Sequence, residues 1–149
     1  MYIEELPFSV VYPLIEKMTL DHHEEVSLVK DVLELDVDVE YYHMLEKMKR
    51  VLCFVAKEGD EVVGYAIFFT SPSHHRFKSK SLVSNDVLYL ATAHRKGMAG
   101  VRFIRQLNDV LKNRFDIIAW HVKDSHDFSP ILKRQGFIKQ DTYYSYVGE

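Results

Sequence analysis

The stretch Asp86-Val-Leu-Tyr-Leu-Ala-Thr-Ala-His-Arg-Lys-Gly-Met-Ala-Gly-Val-Arg-Phe-Ile-Arg-Gln-Leu-Asn-Asp-Val-Leu111 organises the chain. An apolar strand, Val87 to Leu90, breaks off into small and polar residues. A basic turn holding two glycines follows, His94 to Gly100, and an amphipathic helix begins at once. A strand, turn and helix in this order aim free backbone N–H groups at one point, where the positive end of the helix also lies. That geometry suits a phosphate. No Gly-Lys-Ser/Thr closes the turn, so it is not a P-loop, and the Gly-x-Gly-x-x-Gly order of a dinucleotide fold is absent.

Outward from that stretch, the helix over Met98 to Asn113 places Val101, Ile104, Leu107 and Leu111 on one face. Ile117 to Val122 reads as a buried strand and Lys123 to Asp127 as a loop. A short helix from Phe128 to Arg134 ends at Gly136, and Phe137 to Val147 closes the chain as a strand. Upstream, Val51 to Ala56 and Val62 to Thr70 form a hairpin across Glu58-Gly-Asp-Glu61. The basic loop Ser71 to Lys80 leads to the strand Ser81 to Leu90.

The first fifty residues read as one strand (Tyr2 to Leu6) and two or three helices. Val10, Val11, Leu14, Ile15 and Met18 recur at helical spacing, with Pro13 suggesting a start at Tyr12–Pro13 and Asp21-His-His-Glu-Glu a polar break. A second pattern covers Leu28 to Leu35, and Asp38 caps a further helix with Tyr41, Leu45 and Met48. The whole is one domain over residues 1–149, an α/β (α+β) mixed sheet with helices on both faces.

Composition bounds the function. A 47% hydrophobic and 28% charged chain is an ordinary globular protein. Net charge is −3, but residues 1–50 hold 12 acidic against 5 basic side chains (−7), and residues 51–149 hold 10 against 14 (+4). A basic second part suits a polyphosphate ligand and an acidic first part a cationic one, while neither half is basic enough to argue for nucleic acid. No apolar run reaches the length of a membrane span, and the first residues lack a signal-peptide pattern. The single Cys53, in a strand-like run, has no partner for an internal disulfide, and a cytoplasmic setting is expected. His22-His23-Glu24-Glu25 lacks His-Glu-x-x-His spacing, so no metal site is expected.

The chain resembles the GNAT superfamily of acetyl-CoA-dependent N-acetyltransferases. Their pyrophosphate loop, Gln/Arg-x-x-Gly-x-Gly/Ala after the fourth strand, stands here as His94-Arg95-Lys96-Gly97-Met98-Ala99. The element order, the Glu58-Gly-Asp-Glu61 hairpin and Gln135-Gly136-Phe137 before a final strand also match. The resemblance implies a mostly antiparallel sheet of six to seven strands, and acetyl-CoA as cosubstrate. Backbone N–H groups from Arg95 through Gly100 would hold pyrophosphate, with His94, Arg95 and Lys96 side chains adding charge. The polar groups of Leu88, Tyr89 and Leu90 would pair with pantetheine where the fourth and fifth strands splay, and Ser125 falls where many members place a pantetheine-contacting Asn.

A helix terminus supplies about 0.3–2 kcal/mol per charge, whereas micromolar binding takes about 8 kcal/mol, so the rest of the ligand must share the work. Four residues before Gly136, where many members have a Tyr that protonates the leaving thiolate, this chain has Leu132. The implied reaction is direct acetyl transfer to a primary amine, on a small molecule or on a protein lysine or N-terminus. Asp86 is one candidate base, with Glu24, Glu25 and Glu40 no stronger; the resemblance implies a backbone N–H near Tyr89 as the oxyanion donor, and the thiolate's proton would come from His126, Ser125, one of Tyr143, Tyr144 and Tyr146, or solvent. The alternative is a CoA-binding or structural protein of the same fold without fast catalysis. Small GNAT-like chains of tailed bacteriophages share the Ser-His and Leu-Lys-x-x-Gly stretch, so a phage or prophage origin and a host-cytoplasmic role also fit, as does a homodimer.

Overall fold

The structure, a computed structural model, describes residues 1–148. Five strands lie in the order β1 (Tyr2–Leu6), β2 (Val51–Glu58), β3 (Glu61–Ser71), β4 (Leu82–Leu90) and β5 (Ile117–Ala119). All neighbours are antiparallel except β4 and β5, which are parallel. The connection between that parallel pair runs through α3 (Ala99–Lys112), as a parallel crossover requires. The β2–β3 turn holds Gly59 at φ +60°, a conformation that favours glycine.

The sheet is covered on both faces, which is why β2 and β3 read as nearly continuous apolar runs. On one face α1 (Phe8–Val26) lays Phe8, Val11 and Ile15 against Cys53, Val55, Tyr65 and Ile67. On the other, α3 packs Phe103, Leu107 and Leu111 against Phe54, Ala56, Ala66 and Phe68. Cys53, 2% exposed, is one of the alternating β2 side chains between these layers.

Helix α1 begins at Phe8 rather than Tyr12, with the N–H groups of Val10 and Val11 both received by the Pro7 carbonyl. It also runs unbroken through Asp21 to Glu25. Its inward row is Phe8, Val11, Ile15, Met18 and His22, at three- and four-residue steps, while Val10 and Leu14 lie half exposed. Residues 28–33 form turns and a bend instead of a helix, 34–35 are irregular, and Leu28, Val32 and Leu33 face solvent. The helix capped by Asp38 forms as expected, as α2 (Val39–Lys47), with the Asp38 carboxylate accepting from Tyr41 N at 3.0 Å.

The sheet has five strands rather than six or seven. Strand β5 stops at Ala119, and residues 137–148 after α4 (Ser129–Arg134) form no strand. The side chains of that segment have the β-forming character of a strand, but a strand exists only by pairing, and this one lies away from the sheet with Tyr146 90% exposed.

Candidate functional site

Where β4 and β5 separate, a bulge changes which backbone groups face the opening. Antiparallel pairing with β3 shifts between Ile67↔Val87 and Phe68↔Asn85, leaving Asp86 as the extra residue. Strand β5 pairs with β4 only up to Ser84↔Ala119. At the next rung the Asn85 side chain takes over, its Nδ2 donating to His121 O at 3.0 Å and its Oδ1 accepting from His121 N. Beyond this amide the two strands diverge. Ala91 N–H points back to Val63 O on β3. By the alternation of a strand, Leu88 and Leu90 then turn their N–H and C=O groups into the opening, and Tyr89 turns its own towards Tyr65. Arg95 Nε already donates to the Leu90 carbonyl at 2.6 Å.

The strand leads into a short 3-10 turn (Thr92–His94), then Gly97 at φ +59°, then α3. No side chain caps α3. Ala99 is its buried first residue and Met98, at the N-cap position, is 54% exposed. Among the described residues the N–H groups of Gly97, Met98, Gly100 and Val101 have no partner. A β-carbon built on Gly97 meets nothing within 4 Å, so the loop leaves open space in front of these donors. Unpartnered, exposed N–H groups at a positive helix end fit an anion such as pyrophosphate. Lys96 is exposed with no hydrogen-bond or ion-pair partner among the described residues.

The other two basic side chains of the loop are engaged within the protein. His94 lies against the β2–β3 hairpin, with Nδ1 3.3 Å from Glu58 Oε2 and Nε2 3.9 Å from Glu61 Oε1. Arg95 forms a fork on Glu25 of α1, with Nη2 donating to Oε2 at 2.8 Å and Nη1 to Oε1, and its guanidinium lies 5.3 Å from the Tyr89 ring centre. The Arg95 hydrogen bonds hold the Glu25 carboxyl below the usual carboxylate range, against the opposing cost of burial. Glu25 also meets His126 Nε2 at 3.0 Å, and Ser125 Oγ donates to Val26 O at 2.8 Å. The end of α1 thus ties the loop after β4 to the turn after β5.

Behind this tie lies a cluster that the sequence reading passed over. His22 Nδ1 is 2.8 Å from Tyr65 Oη, and the His22 ring stacks on Tyr89 at 4.8 Å. Burial pulls its pKa down to about 4, so the imidazole is neutral at pH 7. The Tyr42 hydroxyl donates to Asp86, whose pKa is raised by burial and partly held back by that bond and by Lys123. His22 and Glu25, three residues apart, share one helix face. Reading Asp21 to Glu25 as a break concealed that pairing. Tyr42, Tyr65 and Asn85 carried no local signal at all.

The predicted site residues therefore divide. Glu25 brings Arg95 and His126 together beside Tyr89, whereas the side-chain partner of Asp86 is Tyr42. A cavity of about 510 Å³ between α1 and the end of β4 is lined by Asp21, Glu24, Glu25, Lys30, Tyr89 and Thr92. Leu132 is 5% exposed and belongs to the core. Among the described residues no group of three His, Cys, Asp or Glu side chains is placed to hold a metal ion, and no helix is long and apolar enough to cross a membrane.

No family model and no curated protein matches the chain. Solved structures do. A predicted acetyltransferase of Clostridium acetobutylicum with acetyl-CoA aligns over 98% of this chain and 95% of its own, at 13% identity and TM-score 0.64. An aminoglycoside acetyltransferase from an uncultured soil metagenomic sample, in complex with sisomicin, aligns over 99% and 96%, at 18% identity and TM-score 0.67. The fold is the GNAT acetyltransferase fold. A transcriptional regulator from Bacillus halodurans C-125 aligns over 99% of both chains at 14% identity and TM-score 0.69. At these identities the likeness to GNAT structures is one of fold, and the chemistry rests on this chain's own residues.

Proposed function

We propose that the protein is an acetyl-CoA-dependent N-acetyltransferase that moves the acetyl group directly to a primary amine. The observation that carries this reading is the opening between β4 and β5, which ends on the unpartnered N–H groups around Gly97. The loop donors would bind the pyrophosphate, joined by the free Lys96 ammonium. The Leu88 and Leu90 backbone groups would pair with the extended pantetheine arm as a neighbouring strand does. Acetyl-CoA supplies the activated thioester. The amine nitrogen bonds to its carbonyl carbon, the carbon–sulfur bond breaks, and CoA leaves as the thiolate while the amine gives up a proton.

Three features of this chain bear on those steps. The Leu88 N–H turns into the opening and is the donor we assign to the developing oxyanion. Asp86, at the bulge and with its proton affinity raised by burial, is assigned to receive the amine proton. His126 is engaged by Glu25, which supports a role in holding the turn after β5 against α1. The cavity beside Tyr89 carries Asp21, Glu24 and Glu25 against one lining base, Lys30, and that acidic excess favours a cationic acceptor.

A second reading, a protein that binds acetyl-CoA without fast turnover, is favoured by one observation: the buried Leu132 stands where a proton donor for the thiolate is expected by resemblance. Thiol release separates the two. With acetyl-CoA and a panel of polyamines, aminoglycosides and lysine peptides, free thiol is expected to appear with at least one acceptor. Acetyl-CoA binding with no thiol from any acceptor supports the second reading. Failure to bind acetyl-CoA at tens of micromolar contradicts both.

A further inference from the structure

The end of the sheet opposite the loop around Gly97 has a different kind of surface. Strand β4 has nine residues, Leu82 to Leu90, which at about 3.3 Å per residue sets the two ends roughly 30 Å apart. At the far end the β3–β4 loop, residues 72–81, is tied by its own backbone. His74 N–H donates to Lys80 O at 2.8 Å, Phe77 N–H to His74 O at 3.1 Å and Lys80 N–H to Phe77 O at 2.9 Å. Its rings are therefore not needed to hold it, and Phe77 belongs to neither core layer. They stack on one another instead. The His74 ring centre lies 4.5 Å from that of His75 and 4.9 Å from that of Phe77. His75 is exposed and Phe77 is 57% exposed.

Cations flank these rings. Arg76, Lys78 and Lys80 are exposed on the loop itself. The start of β2 adds Arg50, whose Nη1 donates to Ser71 Oγ at 3.3 Å, and Lys49, whose carbonyl accepts from Thr70 Oγ1 at 3.3 Å, and α2 ends at Lys47. The ion pairs of lysine and arginine among the described residues lie elsewhere, and none involves these six side chains. Asp116, at the root of the loop, is engaged by Ser81 N and Oγ at 2.9 and 3.1 Å. The carbonyl end of α2 favours cations such as Lys47 and Lys49 by itself. Even so, Lys49 is held at φ +56°, where glycine is the usual residue. Arg76, Lys78 and Lys80 have no such local reason. Charge counted by parts of the sequence concealed the patch, because Lys47, Lys49 and Arg50 come from the acidic first fifty residues.

We propose that this end of the sheet is a binding surface for single-stranded nucleic acid, with bases stacked on Phe77 and His75 and phosphates on the flanking cations. Exposed rings among unpaired cations match both parts of such a strand, the base faces and the charged backbone. A duplex hides its base faces and an acidic peptide has none, so neither would use the rings. The proposal is independent of acetyl transfer and leaves the opening between β4 and β5 free.

Fluorescence anisotropy of the full chain tests it, with a labelled single-stranded oligothymidylate of about twelve nucleotides, within the span of one single-strand-binding module. At about 50 mM salt the dissociation constant should lie below about 100 μM, at least about 10-fold tighter than for a duplex of the same length. Phe77→Ala should weaken binding at least about 5-fold, whereas Phe77→Trp, which keeps a stacking face, should bind at least as tightly as the wild type. Both changes lie on an exposed loop outside the core, so the fold is kept. Arg76→Ala/Lys78→Ala should reduce the slope of log K against log salt by about 1.4, at about 0.7 per phosphate on a single strand. Acetyl-CoA at about 0.1 mM should leave the affinity unchanged. Binding weaker than about 100 μM, equal binding of the duplex or of a poly-glutamate peptide, a smaller loss in Phe77→Ala, or displacement by acetyl-CoA would each overturn the proposal.

Discussion

The two sides of the opening between β4 and β5 are built from different material. On the side of α3 the working parts are backbone: the N–H groups around Gly97 and the turned-out polar groups of Leu88 and Leu90. On the side of α1 they are side chains drawn from distant parts of the chain, with Glu25 on Arg95 and His126, His22 on Tyr65 and Tyr89, and Tyr42 on Asp86. A backbone site tolerates change in most of its side chains and depends on conformation, above all at glycine. A side-chain site depends on partners, charge and pH. The first suits a ligand group that every turnover shares, and the second can be adapted to a particular acceptor.

The predictions follow from that contrast. The largest effect is expected at Gly64 on β3, where an added β-carbon would lie 2.6 Å from the Tyr89 carbonyl and 3.2 Å from Leu90 Cα. Gly64→Ala should force β3 and β4 apart at the rung that feeds both sides, lowering stability by about 3 kcal/mol in urea unfolding. A loss below about 0.5 kcal/mol would mean that the register there yields freely.

His22 gives the next largest effect, and only on the α1 side. Its folded pKa of about 4 lies below the ordinary 6.5, so between those values the unfolded chain binds a proton that the folded one does not. Stability should therefore fall as pH drops from 6.5 towards 4, by up to about 3 kcal/mol. In His22→Gln that part of the slope should vanish, as measured by denaturant midpoints at stepped pH.

Glu25→Gln removes the carboxylate from both Arg95 and His126 and should lower stability by about 1–2 kcal/mol, the three groups being only partly buried. The folded carboxyl titrates below its ordinary range, so this contribution is whole above the ordinary carboxylate pKa and lost as pH falls through the folded one. The difference between wild type and Glu25→Gln should therefore shrink in acid. The smallest effect belongs to Lys96→Ala, the free cation of the backbone side. It should weaken acetyl-CoA binding about 3-fold, more at low salt, and leave stability unchanged.

The same division decides how much was legible in sequence. The α3 side announces itself locally, because a basic turn with glycines can only sit between a strand and a helix in a few ways, and that helix formed where its apolar spacing placed it. The hairpin at Gly59 and the Asp38 cap were readable for the same reason. The α1 side has no local signature. Tyr42 and Asp86 are 44 residues apart, and Arg95 and Glu25 are 70 apart, so only the tertiary fold pairs them. Polarity misled the reading at Asp21 to Glu25, since those residues continue a helix whose inward face turns from packing the sheet to binding Arg95. Propensity misled it at residues 137–147, where strand-forming side chains stay exposed and join no strand of the sheet.

The most direct test of the backbone site is calorimetric titration of acetyl-CoA into the wild type and Gly97→Asp. The Gly97 position has room for a side chain, and a left-handed backbone costs a non-glycine residue about 1–2 kcal/mol, so the variant should remain folded. Its carboxylate would stand among the N–H groups we assign to pyrophosphate. The wild type is expected to bind at tens of micromolar or tighter, and the folded variant at least about 100-fold more weakly. Equal affinity in the two proteins would contradict the assignment of this loop as the site that holds the donor.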